Sequence, residues 1–118
     1  MLKLRQEVEV YISLEPIDMR KAIDSLVCLV INEFSENPQS GHFFLFFNKR
    51  KDKVKIVFWD RNGFVLHYKR MEKHRFHIPK ITDTNKLIIT ETQLHGLLAG
   101  LDFMLMSKFN EINYHEYA

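Results

Sequence analysis

The sequence predicts a single α+β domain over residues 1–118, in which two helices pack on a mostly antiparallel sheet of about five strands. The length of 118 residues suits one compact domain. Several short segments alternate apolar and polar side chains, which is typical of strands. Two longer segments repeat apolar residues at spacings of three and four, which is typical of helices. The elements follow one another in the order β-α-β-β-β-β-α.

A proline separates the first strand from the first helix. Residues 8–14, VEVYISL, have an apolar side chain at every second position, which predicts a half-buried strand. Pro16 ends this strand, and Asp18 is the predicted N-cap of a helix over residues 19–34. The apolar stripe of that helix comprises Ile23, Leu26, Val27, Val30, Ile31 and Phe34.

Arg20 and Lys21 fall in the first turn of this predicted helix, where positive charge opposes the helix dipole. Two interpretations stay open at this point. Either the two bases act on something outside the helix, or they are simply solvated side chains.

The middle of the chain predicts a central strand followed by a hairpin. Residues 43–48, FFLFFN, are apolar at every position but the last, which favours a strand covered on both faces. The hairpin joins strands over 53–60 and 63–72. A two-residue turn at Asn62-Gly63 would place Phe58 opposite His67 and leave both faces mixed.

A three-residue loop with Gly63 in the left-handed conformation separates apolar from basic side chains better, so this register is preferred. It pairs Asp60 with Phe64. One face then holds Val54, Ile56, Phe58, Phe64, Leu66 and Tyr68. The other holds Lys53, Lys55, Val57, Trp59, Val65, His67 and Lys69. Lys55 would face Lys69, a repulsion that a bound anion would relieve.

The last third of the chain predicts a less regular connection over 73–85, a short strand over 86–90 and a second helix. Thr90 and Gln93 fit a capping box at the start of this helix. Its apolar stripe is formed by Leu94, Leu97, Leu98 and Leu101. Residues 104–118 have a weak pattern and are expected to fray.

The charges are concentrated in one segment. Between Lys49 and Arg75 there are ten Lys or Arg against three acids, a formal charge of +7, whereas the whole chain carries +2. No apolar stretch reaches the roughly 18 residues of a membrane span. The one cysteine, Cys28, excludes an intrachain disulfide and is predicted to be a small buried hydrophobe. A cytoplasmic location is expected, because such a chain tolerates reducing conditions and its N-terminus lacks a signal-peptide core.

Catalytic and metal chemistry find little support in the sequence. His74 and His77 are three residues apart, but no Cys or carboxylate joins them at a recognisable ligand spacing, so no metal or cofactor is predicted. Metal-dependent DNA cleavage needs converging carboxylates, and the aspartates are scattered. They are Asp18, Asp24, Asp60 and Asp102. Asp60 is expected to accept backbone N–H groups at its turn, and no catalytic residue is predicted.

The remaining signal is a band of basic and aromatic residues, which suits contact with phosphates and unpaired bases. The candidate nucleic-acid-binding residues are Lys49, Arg50, Lys51, Lys55, Trp59, Arg61, Lys69, Arg70, Lys73 and Arg75, with Arg20 and Lys21 as additions. In the preferred register Trp59 shares the basic face and Tyr68 faces the core. Trp59 is therefore the favoured aromatic, although it could equally lie at the edge of the core.

Three blocks of the sequence resemble a known family. These blocks are EPIDMRKAIDSLVCLV, SGHFFLFFNKRKDKVKIVFWDRNGFVLHYKRMEKHRF and ITETQLHGLLAGLDF. In this order and spacing they resemble the TnpB-type accessory proteins, the second open reading frame, of the insertion-sequence-sixty-six transposon family. The resemblance covers about residues 8–103. The chain departs from the family's pattern at Ile17, at His67, where an aromatic is usual, and at His74, where glycine is common.

The resemblance implies an accessory role in DNA transposition, beside a separate and larger recombinase. We therefore expect a non-catalytic accessory factor that binds nucleic acid through the basic hairpin surface. The expected partners are DNA at the element ends and the transposase of the same element, with no membrane, and a homo-oligomer is compatible with the sequence. The alternative is an adaptor that binds the transposase through the same surface, and the third hypothesis is a small metal-dependent nuclease.

Overall fold

The computed structural model describes residues 8–78 and 86–101, and within these ranges it contains five strands and two helices. They are β1 (Val10–Ser13), α1 (Ile23–Phe34), β2 (Phe43–Phe47), β3 (Lys53–Asp60), β4 (Gly63–Arg70), β5 (Lys86–Ile89) and α2 (Glu91–Leu98). The predicted α+β class and element order are confirmed. The predicted fraying of residues 104–118, and most of the predicted connection after residue 78, lie outside the described residues.

The strands form one sheet in the order β4-β3-β2-β1-β5. Strands β1 and β2 are parallel and are connected through α1, while every other neighbouring pair is antiparallel. The central strand β2 has all five side chains buried, as its unbroken apolar run predicts. The two edges are the long strand β4 and the short strand β5.

The helices cover opposite faces of the sheet, so the molecule has three layers. On the α1 face, Leu26, Val30 and Phe34 of the helix pack with Tyr11, Phe44, Phe46 and Val57 of the sheet. On the α2 face, Leu94, Leu97 and Leu98 pack with alternate residues of β1, β2, β3 and β5. Both faces of the sheet are therefore apolar over most of their area.

Helix α1 begins later than the sequence predicts. Its N-cap position is Ala22, with no side-chain hydrogen bond, and Asp18 is not the cap. Asp18 instead closes its own turn, because its Oδ1 accepts the N–H of Arg20 at 2.9 Å and its carbonyl accepts the N–H of Lys21 at 3.1 Å. The local bonds of Asp18 therefore compete with helix initiation. Arg20 and Lys21 lie in this turn, outside the helix.

The buried stripe of α1 is narrower than predicted. The prediction that Cys28 is buried is wrong, because this side chain is exposed, and Ile31 is exposed as well. The three buried residues Leu26, Val30 and Phe34 follow one another at intervals of four. Beside this row, Val27 and Leu29 are partly buried against the same cluster, whereas Cys28 and Ile31 face solvent.

The preferred register of the β3–β4 hairpin is wrong. Asp60 pairs with Gly63 across a two-residue loop, and Arg61 rather than Gly63 has the positive φ, at 53°. The prediction assumed that one face of the hairpin meets water. Because α1 and α2 cover opposite faces, each face needs apolar residues, and both faces are mixed. Lys55 consequently faces Tyr68, and the expected Lys55–Lys69 repulsion is absent.

Helix α2 begins as predicted. The Thr90 hydroxyl accepts the N–H of Gln93 at 3.1 Å, and the Gln93 side chain accepts the N–H of Thr90 at 2.9 Å. The capping box is thus confirmed. The helix ends at Leu98, so Leu101 lies beyond its stripe and is exposed.

Candidate nucleic-acid interface

Asn48 organises the turn between β2 and β3. Its Oδ1 accepts the N–H groups of Asp52 at 3.1 Å and Lys53 at 3.0 Å, and its Nδ2 donates to Asp52 Oδ1 at 2.6 Å. The hydrogen bond from the Asn48 side-chain amide lowers the pKa of the Asp52 carboxyl, and the charges of Lys53 and Arg50 lower it further. The Asn48 side chain thus closes the turn from inside, and Lys49 and Arg50 are exposed.

The segment after β4 folds back along this turn. The Met71 N–H donates to the Asp52 carbonyl and the Phe76 N–H donates to the Lys51 carbonyl, both at 2.7 Å. Phe76 is only 2% exposed and packs edge-on against Phe47, with ring centroids 5.4 Å apart. These contacts bring two further exposed bases beside the turn, namely Lys73 and Arg75.

The segment before α1 approaches the same turn from the other side. The Ile17 N–H donates to the Phe47 carbonyl at 2.9 Å. The Lys55 ammonium, which reaches out of the sheet, donates to the carbonyls of Met19 at 2.7 Å and Lys21 at 2.8 Å. An open groove of about 470 Å³ lies between residues 17–20 on one side and Asn48, Lys49, Arg50 and Lys53 on the other.

Three segments distant in the sequence therefore meet at one end of the sheet, which we call the basic end. Its bases are Arg20, Lys21, Lys49, Arg50, Lys51, Lys53, Arg70, Lys73 and Arg75. Its carboxylates are Asp18, Asp52 and Glu72. Eight of the twelve candidates from the sequence lie here. The sequence did not predict Lys53 as a binding residue. Its pairing with Arg70 across β3 and β4 places it at the basic end.

Trp59 and Arg61 lie at the other end of the hairpin. Eight residues of extended strand separate Lys53 from Arg61, a distance of roughly 25 Å. Trp59 is half-buried and packs edge-on against Phe64, with ring centroids 5.0 Å apart. The structure therefore does not bring the favoured tryptophan to the bases, and the edge-of-core interpretation describes its position.

Lys55 and Lys69 use their ammonium groups within the protein. Lys55 holds the segment before α1 against the sheet, as described above. Lys69 donates to the carbonyl of Leu98 at the end of α2, where a helix leaves carbonyls unpaired and favours positive charge. These two side chains support the fold on opposite faces of the sheet.

Two arginines of the basic end form exposed ion pairs. Arg20 binds Asp18 at 2.6 Å and Arg70 binds Glu72 at 2.7 Å, and the arginine side chains are 92% and 61% exposed. The hydrogen bonds of Arg20 lower the pKa of Asp18 to about 2. Exposed pairs of this kind contribute little to stability and exchange readily for another anion.

The other bases at this end have no such partner. Across residues 8–78 and 86–101 the structure shows no side-chain hydrogen bond or ion pair for the other seven bases, which are Lys21, Lys49, Arg50, Lys51, Lys53, Lys73 and Arg75. Their charges are therefore available to an anionic ligand.

Neither a metal cluster nor a membrane helix occurs in the described part of the chain. Within it, no three His, Cys, Asp or Glu side chains come close enough together to hold a metal ion. No helix of these residues is long and apolar enough to cross a membrane. Asp102, one of the scattered aspartates, lies outside the described residues.

The comparisons with known proteins identify related chains. The family model described as IS66 Orf2-like protein matches residues 8–108. Two relatives come from Sinorhizobium fredii. The uncharacterized protein y4jC is 30% identical over 96 residues, covering 81% of each chain, and the uncharacterized protein y4hO is 32% identical over 103 residues, covering 87% of this chain and 89% of its own. No solved structure matches the chain significantly.

Proposed function

Since the chain belongs to the family of IS66 Orf2-like proteins, which implies an accessory role in transposition, we propose that it binds DNA non-catalytically through the basic end. One observation carries this proposal. Bases from three segments converge on one surface and outnumber its carboxylates by nine to three. Such a surface neutralises the phosphates of a nucleic-acid backbone and releases bound counterions.

The geometry of the groove supports a backbone contact. Two peptide segments form its walls, and four bases line it, so one strand of phosphates can lie along it. Phosphate oxygens can replace the exposed carboxylates as the hydrogen-bond acceptors of the Arg20 and Arg70 guanidinium groups. The presence of Asp18 and Glu72 limits the net charge, which favours moderate affinity with a strong dependence on salt.

The test compares two arginines in two turns of the same chain. Arg50 lies in the turn of the basic end, and Arg61 lies exposed in the β3–β4 loop. We expect Arg50→Ala to weaken binding of a fluorescent duplex carrying an element end and to reduce the salt slope by about one. Arg61→Ala removes the same charge and should bind as the unmodified protein does. Equal losses in both variants would show that only net charge matters.

The adaptor hypothesis predicts a different result. If the protein binds no DNA at low salt yet forms a complex with the transposase that Arg50→Ala weakens, the basic end serves a protein partner. Nicking of the same duplex in the presence of magnesium or manganese would support the nuclease hypothesis instead.

A further inference from the structure

Tyr68 is an exposed aromatic ring beside the basic end. It lies on the edge strand β4 and is 53% exposed. Its partner across the ladder is Lys55, and the next pair on the same sheet face is Lys53 with Arg70. Arg70 is two residues further along the strand, about 7 Å away. The ring therefore lies next to two bases that face the same side of the sheet.

The surroundings of Tyr68 fix the ring without covering it. The Lys55 ammonium lies over the ring, 5.5 Å from its centroid. That ammonium is itself held by the carbonyls of Met19 and Lys21. Because β4 is an edge strand of the sheet formed by residues 8–78 and 86–101, no further strand of these residues lies outside Tyr68. One side of the ring thus contacts a fixed cation, and the exposed remainder is open to a planar ligand.

We propose that Tyr68 is a stacking platform for an unpaired DNA base whose phosphates lie on Lys53 and Arg70. This inference rests on the proposed function, because it assumes that the ligand of the basic end is DNA. A base stacks on an aromatic ring regardless of its identity, so the platform recognises an unpaired nucleotide and not a sequence. In a duplex the bases already stack on one another and cannot reach the ring. The platform therefore selects single-stranded DNA or a locally opened duplex.

The structure favours Tyr68 over Trp59 for this role. Trp59 is six residues from Lys53 along β3, roughly 20 Å, and its indole is partly covered. Phe64 packs edge-on against it. A base on Trp59 would leave its phosphates far from Lys53 and Arg70, whereas a base on Tyr68 places them beside both.

The test measures binding of the full chain to single-stranded oligo(dT) and to a duplex of the same length. We expect Tyr68→Ala to weaken single-strand binding by roughly ten-fold or more and to leave duplex binding and both salt slopes unchanged. Tyr68→Phe retains the ring and should retain the affinity. Ile88→Ala is the matched control, because Ile88 is 51% exposed on the same sheet face, at the opposite edge of the sheet.

Photocrosslinking gives a second measurement that does not depend on a substitution. An oligonucleotide containing 5-iodouracil should crosslink to Tyr68, and a crosslink at Trp59 instead would overturn the assignment. Unchanged single-strand binding by Tyr68→Ala would also overturn it, as would an equal loss for single strand and duplex. Those results overturn the role of Tyr68 but leave the proposed function standing, because the unmodified chain still binds DNA, whereas absence of all DNA binding by the unmodified chain overturns both proposals.

Discussion

The two ends of the β3–β4 hairpin carry similar residues but differ in what surrounds them. The loop end, residues 59–64, has an exposed arginine, an aspartate, an asparagine and two aromatic rings. The basic end has the same residue types in its turn, but segments 17–21 and 71–78 pack beside it. The loop end thus has one base and one carboxylate, whereas the basic end is a composite surface with nine bases and three carboxylates. A binding site for an extended polyanion needs several charges at fixed spacing, which a single loop does not supply.

The difference can be tested first at the aromatic residues that anchor each end. We expect Phe76→Ala to lower the free energy of unfolding by about 3 to 5 kcal/mol, because the ring is fully buried against Phe47. Loss of this anchor should also release Lys73 and Arg75 and weaken DNA binding. Urea unfolding and duplex titration at low salt measure the two effects.

Phe64→Ala is the control at the loop end. Phe64 is half-buried, so its loss should cost only about 1 to 2 kcal/mol and leave DNA affinity unchanged. If both variants lose affinity in proportion to their stability, the DNA contact depends on the whole fold and not on the anchored segment.

A smaller effect is expected at the asparagines of the two turns. The Asn48 side chain accepts two backbone N–H groups and donates to Asp52, so Asn48→Ala should destabilise the protein by about 1 to 3 kcal/mol. Asn62 is exposed in the β3–β4 loop, and Asn62→Ala should stay within about 0.5 kcal/mol. Both values follow from urea unfolding. An equal loss of stability in Asn62→Ala and Asn48→Ala would show that the Asn48 side chain does not stabilise its turn more than Asn62 stabilises the β3–β4 loop.

The sequence predicts individual strands and helices better than the long-range contacts between them. The strand bounds at 53–60 and the Thr90 capping box depend on residues close in the chain, and both predictions are confirmed. The hairpin register depends on which faces the helices cover, so the residue pattern favoured the wrong loop. The basic end depends on backbone bonds from residue 17 to 47 and from residue 76 to 51, which no local pattern reveals. Lys55 and Lys69 illustrate the same limit, because their carbonyl partners lie 29 or more residues away.

The weakest test concerns the Asp18–Arg20 ion pair. The bonds from Arg20 lower the pKa of the Asp18 carboxyl from 3.8 to about 2. Because the pKa is lower in the folded than in the unfolded protein, the pair stabilises the fold above about pH 4, and this contribution is lost as the pH falls through 2. Carbon-detected NMR titration should place the Asp18 carboxyl near pH 2. In Arg20→Gln we expect its titration to move up towards 3.8, and an unchanged value would show that Arg20 is not the cause.

At neutral pH we expect the same pair to limit DNA affinity slightly. Asp18 is ionised there and lines the groove, so we expect it to compete with phosphate for Arg20 and to repel a DNA strand. Asp18→Asn retains an oxygen for the Arg20 N–H and removes the charge, so we expect duplex affinity to rise by about two- to five-fold. Asp60→Asn, an exposed aspartate at the loop end, removes the same charge roughly 25 Å away and should have no effect at physiological salt. Equal gains in the two variants would mean that DNA responds to the net charge of the protein, and the difference between the two ends would then have no bearing on binding.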